Sequence, residues 1–190
     1  MLVFTWPYGL FFWAVFAWAF VPEFAARRRE GRATPQDAGS MGVLIIAQSV
    51  GMFAAFTIAR TVPLGAMPYP RLCFSVGVLA LIAGSLLRRH CQRMLGASFT
   101  GAVVVREDHA VVERGAYRFV RHPSYTAASI MFFGIGLALA NWIGLATLLA
   151  LVLLTLLYRV NVEERTLIAV IGDRYRGYMR RTKRFVPFVF

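Results

Sequence analysis

The sequence predicts an all-α integral membrane protein with about five transmembrane helices, the last two forming a hairpin, and a pocket formed by cytosolic segments. The chain of 190 residues is 58% hydrophobic, it contains long windows without charge, and its cations fall almost entirely between alternate windows. A disordered chain is excluded, because disorder needs low hydrophobicity. A soluble nucleic-acid-binding domain is disfavoured, because a soluble fold cannot bury so much apolar sequence.

Four windows contain no charged residue: 1–22, 38–59, 72–87 and 123–158. A membrane-spanning helix needs about 20 apolar residues, so each of the first two windows is long enough for one span. The third is shorter, but the arginines that flank it can reach both interfaces. The fourth would form a helix about 54 Å long, at about 1.5 Å per residue, which exceeds a hydrocarbon core of about 30 Å.

The fourth window is expected to break at Asn141 and Trp142, a polar residue beside an interfacial aromatic. Its two parts, near 124–140 and 143–158, then form a hairpin and bring the total to five spans. The first span lacks the basic segment that opens a signal peptide, so we interpret it as a retained anchor. The polar segment 23–40 that follows it is predicted to be a loop.

The distribution of cations predicts the orientation of these spans. The chain has 21 Lys and Arg residues against 9 Asp and Glu, a net charge of +12. Segments on alternate sides of the membrane hold 19 and 2 of the cations. Because loops rich in Lys and Arg stay in the cytosol, we expect the N-terminus outside and the C-terminus inside, as five spans require.

The ends of the predicted hairpin bring two polar segments together. Pro123 stands at the first position of the fourth span, after His122, and two adjacent carboxylates follow the fifth span. Because a hairpin returns to the height at which it began, both ends lie at the same interface. The side chains expected to face one shared pocket are Arg121, His122, Tyr125, Arg159, Glu163 and Glu164.

These groups suit a zwitterionic ligand that carries an additional positive centre. A helix N-terminus with Arg and His favours an anion, carboxylates suit an ammonium or ribose hydroxyls, and aromatic rings can lie against a cation. S-adenosylmethionine has a carboxylate, an ammonium, a sulfonium and a purine. We see no metal-ligand spacing and predict no metal, and we interpret Gly134 and Gly136, within an apolar helix, as a site of close helix packing.

Taken one at a time, several of these residues have simpler explanations. Arg159 and Glu163 are four residues apart, a spacing typical of a surface ion pair. Arg121 can bind lipid phosphates, His122 can be a helix-start residue, and the tyrosines can be interfacial anchors. Glu163 and Glu164 together are the exception, because two carboxylates close to lipid in a basic tail need partners or a ligand.

The order and spacing of residues from Gly96 to the C-terminus, about 95 residues, form a longer pattern. It reads His109, Val111, Val112, Gly115, Tyr117, Arg121, His122, Pro123 and Tyr125, then after the hairpin Arg159, Glu163, Glu164, Leu167, Gly172, Tyr175, Tyr178, Val186, Pro187 and Phe188. This pattern resembles the isoprenylcysteine carboxyl methyltransferase family, with the related phospholipid methyltransferases. Ala127 replaces a family Gly, Val111 and Val186 replace Leu, and the first three spans match only in character.

The resemblance implies a membrane methyltransferase that uses S-adenosylmethionine, with a cofactor pocket made by the last two helices and the flanking cytosolic segments. It implies that Arg159 orients an acidic substrate. By motif position, the cofactor-binding residues would be His122, Tyr125, Glu163 and Glu164, supported by Tyr117, Arg121 and Pro123.

The predicted function is therefore methyl transfer to a lipophilic acceptor at the cytosolic interface, with carboxyl O-methylation of an isoprenylcysteine-like substrate favoured. Lipid N-methylation is the alternative enzyme activity, and a basic membrane scaffold or permease subunit is the alternative outside enzymes. The expected partners are a lipophilic or prenylated substrate and membrane lipids, not nucleic acid, and the oligomeric state is left open. We expect one membrane domain, 1–190, with three spans in 1–95 and the methyltransferase core in 96–190.

Overall fold

The computed structural model describes residues 1–29, 39–96 and 112–185, with side chains for all of these except 24–29. Within these ranges the regular structure is helical, which confirms the predicted all-α class, and short 3-10 turns and two isolated backbone bridges complete it. The helices are α1 (Tyr8–Arg29), α2 (Ser40–Thr61), α3 (Pro70–Leu95), α4 (Pro123–Ala138), α5 (Trp142–Ile171) and α6 (Asp173–Arg181).

The first five helices run in alternating directions, so their ends gather at two levels. At one level the start of α2 meets α5, where Arg159 Nη1 donates a hydrogen bond to Ser40 Oγ at 2.6 Å. At the other level the end of α2 meets the turn between α4 and α5, where Asn141 Nδ2 donates to the Val62 carbonyl at 3.0 Å. We call the first level the site end and the second the turn end.

The predicted break of the last apolar window is confirmed at the turn end. Helix α4 ends at Ala138, and Asn141 is the residue that precedes α5. The Asn141 side-chain oxygen accepts a hydrogen bond from the Gly144 N–H at 2.9 Å, so it caps α5. Asn141 is buried and its side chain makes hydrogen bonds to both α2 and α5, so the turn is held in place.

Helices α3 and α4 approach each other closely because glycines line their contact. A Cβ atom added to Gly77 would lie 2.5 Å from the Gly134 carbonyl oxygen, and one added to Gly134 would lie 2.5 Å from the Gly77 oxygen. Gly136 meets Leu145 of α5 at 2.6 Å in the same way. The interpretation of Gly134 and Gly136 as a close-packing site is thus confirmed, and it fixes where α4 begins at the site end.

Two predicted boundaries are wrong. Helix α1 continues through Pro22 to Arg29, so residues 23–29 are helical and not part of a loop. Helix α5 continues to Ile171, so Glu163 and Glu164 lie on the helix itself instead of following it. In both places the charged residues mark where apolar sequence ends, but Ala, Arg and Glu are good helix formers and the helix continues.

Within the described ranges, α2, α3 and α5 are long and apolar enough to cross a membrane. The apolar part of α1, Tyr8–Glu23, and α4 are shorter. A helix of 16 residues such as α4 is about 24 Å long, somewhat less than the hydrocarbon core of about 30 Å. The chain is an integral membrane protein, and the exact number of five spans stays a prediction.

The core extends through all of the first five helices, with α3 packed on α4 and both α4 and α2 packed on α5. Aromatic contacts join α1 to α2 and α3. Trp13 of α1 stacks on Phe56 of α2 with ring centroids 5.7 Å apart, and Tyr8 meets Phe74 of α3 edge to face at 5.3 Å. The largest fully buried side chains of α3, α4 and α5 are Leu81, Met131, Ile135, Leu148, Leu156, Val152 and Val160.

Candidate functional site at the open end of the hairpin

The site is positioned by the two ends of the hairpin at the site end of the bundle. His122 precedes α4, whose first residue is Pro123, as predicted. The first α4 turn then brings Tyr125 toward α5. On α5, Arg159 and Glu163 are one turn apart and share a face, while Glu164 is rotated away from Glu163.

Glu164 lies at the centre of a buried charge cluster. Its Oε1 accepts from Arg121 Nε at 2.8 Å and lies 3.2 Å from His122 Nε2. Its Oε2 accepts from both Nε and Nη2 of Arg184, at 3.1 and 2.8 Å. With a side-chain exposure of 4% and donors on both oxygens, this carboxylate holds α5, the start of α4 and the tail together.

Glu163 has a different environment, although it is the neighbouring residue. Its side chain is 29% exposed, against 4% for Glu164. Its Oε2 accepts from the Tyr125 hydroxyl at 2.7 Å and lies 3.9 Å from His122 Nδ1. Glu163 is therefore the carboxylate of the pair that a ligand from solvent can reach.

Tyr125 connects Glu163 to Arg159. Its hydroxyl donates to Glu163 and accepts from Arg159 Nε at 3.3 Å. The His122 ring stacks on the Tyr125 ring with centroids 5.5 Å apart and planes inclined by 18°. The structure thus joins all six residues predicted to share a pocket into one chain of contacts from Arg121 to Arg159.

The tail after α6 covers this cluster. Its backbone runs beside the segment before α4, with hydrogen bonds from the Arg121 N–H to the Lys183 carbonyl at 2.7 Å and from the His122 N–H to the Arg184 carbonyl at 3.0 Å. Thr126 Oγ1 donates to the Phe185 carbonyl at 2.8 Å. These bonds hold Arg121 and His122 at fixed orientations toward α5.

Arg121 and Tyr117 link the cluster to α6 and the tail. Arg121 Nη1 donates to the carbonyls of Met179, at 3.2 Å, and Thr182, so its guanidinium links Glu164 to α6 and the tail. The Tyr178 hydroxyl donates to the Tyr117 carbonyl at 2.6 Å. Burial raises the pKa of both tyrosine hydroxyls, so they stay protonated at neutral pH.

An apolar cavity of about 440 Å³ adjoins the site between α1, α2, α4 and α5. Tyr125 contributes to its wall, so the cavity and the charge cluster share this residue. At the end of the cavity next to Tyr125 the lining includes two charged residues, Glu23 and Arg88. The other lining residues include Trp13, Phe16, Phe20, Leu44, Met52, Phe53, Phe56, Met131, Phe132 and Leu156.

Arg88 faces inward at this end of the cavity. Its Nε and Nη2 each donate to an oxygen of Glu23 at 2.9 Å, and its Nη1 donates to the Ser124 carbonyl and hydroxyl at 3.1 and 2.9 Å. The sequence marks Arg88 only as a residue that flanks an apolar window and can reach the interface. The structure places it inside the protein, beside the first turn of α4.

Some expectations about single residues change with the structure. The alternative that Arg159 belongs to a surface ion pair is wrong, because it is only 2% exposed. The alternative that Tyr117, Tyr175 and Tyr178 are interfacial anchors is also wrong, because all three are buried. Ala127, which replaces a family Gly, is fully buried, and its carbonyl oxygen closely approaches Gly84 of α3.

Sequence reasoning missed Arg184, Ser40, Arg88 and Glu23 as parts of this region. For Glu23 and Arg88 the only signal was a charge directly beside an apolar window, and Ser40 and Arg184 carried no such signal. The pattern residues His109, Val111, Val186, Pro187 and Phe188 lie outside the described residues. In the part of the chain that the structure describes, no group of three or more His, Cys, Asp or Glu could hold a metal, and the absence of a metal stays a prediction.

Fold and site together define an integral membrane protein with a buried charge cluster at the open end of a helical hairpin, beside an apolar cavity. The sequence profile of the isoprenylcysteine carboxyl methyltransferase (ICMT) family matches residues 76–169. This match confirms the resemblance predicted from the sequence: the chain carries the ICMT family sequence over that region. The match begins before Gly96 and ends before α6, so it includes α4 and nearly all of α5 but not the tail.

Curated relatives support the same assignment. Protein-S-isoprenylcysteine O-methyltransferase B of Arabidopsis thaliana is 33% identical over 115 residues, which are 60% of this chain and 58% of that protein. The protein-S-isoprenylcysteine O-methyltransferase of Saccharomyces cerevisiae is 30% identical over 121 residues, 63% of this chain and 51% of that protein. The chain thus spans about half the length of the curated relatives it matches.

A solved structure supports the fold. The eukaryotic intramembrane Ras methyltransferase ICMT aligns with a TM-score of 0.59 and 24% identity, covering 76% of this chain and 52% of that one. The alignment extends beyond the family match, so the helical arrangement is shared over more of the chain than residues 76–169.

Proposed function

We propose that this protein is an S-adenosylmethionine-dependent methyltransferase that methylates the carboxylate of a lipophilic, isoprenylcysteine-like acceptor at the cytosolic membrane interface. The observation that carries the proposal is that Tyr125 belongs both to the polar cluster and to the wall of the apolar cavity. A water-soluble methyl donor and a lipid-soluble acceptor must meet at one point, and Tyr125 marks such a point. The names of the curated relatives support this activity.

The donor side of the site consists of Glu163, His122 and Tyr125. S-adenosylmethionine supplies an electrophilic methyl group on a sulfonium, together with an ammonium and ribose hydroxyls that a carboxylate can accept from. Glu163 is the partly exposed carboxylate of the cluster, and the stacked rings of His122 and Tyr125 offer a face to a cation. The chemistry of these groups therefore fits the donor, with Glu163 as the main contact.

Glu164, Arg121, Pro123 and Tyr117 support the donor side without facing it. Glu164 accepts from Arg121 and Arg184 and lies beside His122, so we assign it to holding His122 in place. Pro123 starts α4 directly after His122, and Tyr117 accepts from the Tyr178 hydroxyl behind the cluster. A fixed first turn of α4 keeps reactants in the orientation that in-line displacement requires.

The acceptor side consists of the apolar cavity and its cationic end. The cavity of about 440 Å³ opens among α1, α2 and α5 and suits an alkyl chain. Arg88 contacts Ser124, the residue before Tyr125, and Arg159 contacts the Tyr125 hydroxyl. These two guanidinium groups favour a carboxylate over an amine. As the carboxylate oxygen bonds to the methyl carbon, the carbon–sulfur bond breaks with its electron pair left on sulfur, and the two charges cancel. Because no proton moves, the chain needs no general base.

The cytosolic position of the site rests on charge. Of the 21 cations, 19 belong to segments predicted to lie on the side of the site end. Among the cations in the part of the chain that the structure describes, only Arg60 and Arg71 lie at the turn end, at the end of α2 and the start of α3. The bias toward cytosolic Lys and Arg therefore supports a site that faces the compartment in which the methyl donor is made.

Cofactor binding tests the donor side of the proposal. We expect wild-type protein in detergent micelles to bind S-adenosylmethionine, and Glu163→Gln to bind it about tenfold more weakly, because a hydrogen bond to a charged group is lost. Isothermal titration calorimetry provides both values. Glu113→Gln is the matched control, because Glu113 pairs with Arg181 at the surface, and its affinity should equal that of wild type. A wild-type protein without binding, or equal binding by Glu163→Gln, would contradict the assignment.

A further inference from the structure

A carboxylate of the protein itself occupies the cationic end of the cavity. Glu23 of α1 accepts two parallel hydrogen bonds from Arg88, both at 2.9 Å, and a third from Gln92 Nε2 at 2.7 Å. The side chains of Glu23 and Arg88 are only 11% and 12% exposed. A bidentate pair with so little water around it is a strong and directional interaction.

This pair stands where the head group of an acceptor would arrive. Both residues line the cavity, and apart from Gln48, Ser49 and Tyr125 the rest of its lining is apolar. Arg88 also contacts Ser124, the residue before Tyr125, through Nη1. An acceptor whose chain fills the cavity and whose carboxylate points toward Tyr125 would therefore bring that carboxylate beside the Arg88 guanidinium.

The edge of Arg88 that binds a carboxylate best is already taken by Glu23. Nε and Nη2 form the fork that matches the two oxygens of a carboxylate, and each donates to one oxygen of Glu23. An incoming carboxylate can use this fork only by replacing Glu23. The exchange leaves Glu23 with a partner, because Gln92 also donates to it, so no buried carboxylate loses all its hydrogen bonds.

We propose that Glu23 is an internal carboxylate that holds Arg88 until the carboxylate of the acceptor displaces it, which makes Glu23 a determinant of acceptor affinity and selectivity. The inference rests on the proposed function, since it assumes that the cavity binds a lipophilic carboxylate. It assigns to α1, which lies outside the matched region 76–169, a direct effect on acceptor binding. An acceptor without a carboxylate has nothing to exchange for Glu23 and gains nothing from Arg88.

The test compares acceptor kinetics of wild type and Glu23→Gln. The acceptor is N-acetyl-S-farnesylcysteine, and its carboxamide, which lacks the charge, serves as a competitive inhibitor. We expect the KM of the acid to fall about tenfold in Glu23→Gln, because a neutral amide competes poorly for a guanidinium, while the Ki of the carboxamide stays within about twofold of wild type. The effect falls on KM and not on kcat, which separates it from a general change in fold.

Three further results would overturn the inference. An unchanged or higher KM for the acid would show that Glu23 does not compete with it, and an equal gain for acid and carboxamide would show that Glu23 only restricts space. If Glu23→Gln does not fold, Glu23→Asp replaces it, with a shorter carboxylate that holds Arg88 less well; a KM equal to that of wild type would again contradict the proposal. Glu113→Gln is the control for removing a carboxylate elsewhere.

Failure of the proposed function would appear differently, as wild-type protein that methylates no acceptor.

Discussion

Neighbouring carboxylates serve different purposes in this site, and the helix explains why. Successive residues of an α-helix point in different directions, so Glu164 turns toward Arg121 and Arg184 while Glu163 turns toward Tyr125. Both oxygens of Glu164 accept hydrogen bonds within the protein, and its side chain is only 4% exposed. The Glu163 side chain is 29% exposed. Two neighbouring residues of the same type thus provide one structural carboxylate and one that is available to a ligand.

Replacement of Glu164 by Gln should destabilise the protein. The variant leaves Arg121 and Arg184 without their common counter-charge, and breaking a buried ion pair costs about 3 kcal/mol or more. At this chain length about 1 kcal/mol changes Tm by about 2–4 °C, so we expect Tm to fall by about 6–12 °C. Thermal unfolding in micelles followed by circular dichroism measures it.

The control for that experiment is Glu113→Gln. Its pair with Arg181 is exposed, with side chains 44% and 62% accessible, and exposed pairs contribute about 0–1 kcal/mol. Its Tm should stay within about 3 °C of wild type. Equal shifts in the two variants would mean that burial of the Glu164 cluster has no energetic effect.

At the scale of single residues, the sequence was informative where two signals coincided. Glu163 and Glu164 stood out because acidic residues are rare in a basic tail, and His122 and Pro123 because they open an apolar window. Arg88 and Glu23 carried one signal each, a charge beside an apolar window, which lipid contact explains equally well. Their pairing depends on how α1 and α3 pack, and no local pattern in the sequence specifies that.

At the scale of elements, the hairpin was predictable and its ends were not. The uncharged window 123–158 was too long for one span, and Asn141 was the one polar residue suited to break it, as the cap on Gly144 confirms. Charge marks where a helix leaves the membrane but not where the helix stops. For this reason α5 continues to Ile171 and α1 to Arg29, beyond their predicted ends.

The contact between α3 and α4 provides a prediction at this scale. Gly134→Ala places a Cβ 2.5 Å from the Gly77 carbonyl oxygen and 2.6 Å from the Leu81 nitrogen, so the two helices must move apart. Overpacking of this kind costs about 1–3 kcal/mol, and we expect Tm to fall by about 2–12 °C together with weaker cofactor binding, since α4 carries Tyr125. Differential scanning fluorimetry and calorimetry measure the two effects.

Gly42→Ala is the matched control, because a Cβ at Gly42 of α2 has nothing within 4 Å. Alanine is the better helix former, so this variant should be as stable as wild type or slightly more so. A Gly134→Ala protein with the same Tm and affinity as Gly42→Ala would show that the close approach of α3 and α4 does not position the site.

At the scale of the whole molecule, hydrophobicity and charge are separated in space. Apolar side chains line most of the cavity, and among the described residues Arg121 and Arg184 gather at the site end around Glu164. The alternation of the first five helices places the polar cluster and the end of the cavity lined by Glu23 and Arg88 at the same level. Tyr125 belongs to both the polar cluster and the cavity wall.

The central claim is methyl transfer to a lipophilic carboxylate, and the most direct measurement follows the methyl group. Wild-type protein in lipid vesicles is incubated with methyl-labelled S-adenosylmethionine and N-acetyl-S-farnesylcysteine, and the product is treated with base. We predict label in the lipid fraction that base releases as methanol, because a carboxyl methyl ester is hydrolysed. Label that resists base would indicate transfer to an amine, and no transfer at all would contradict the enzymatic account.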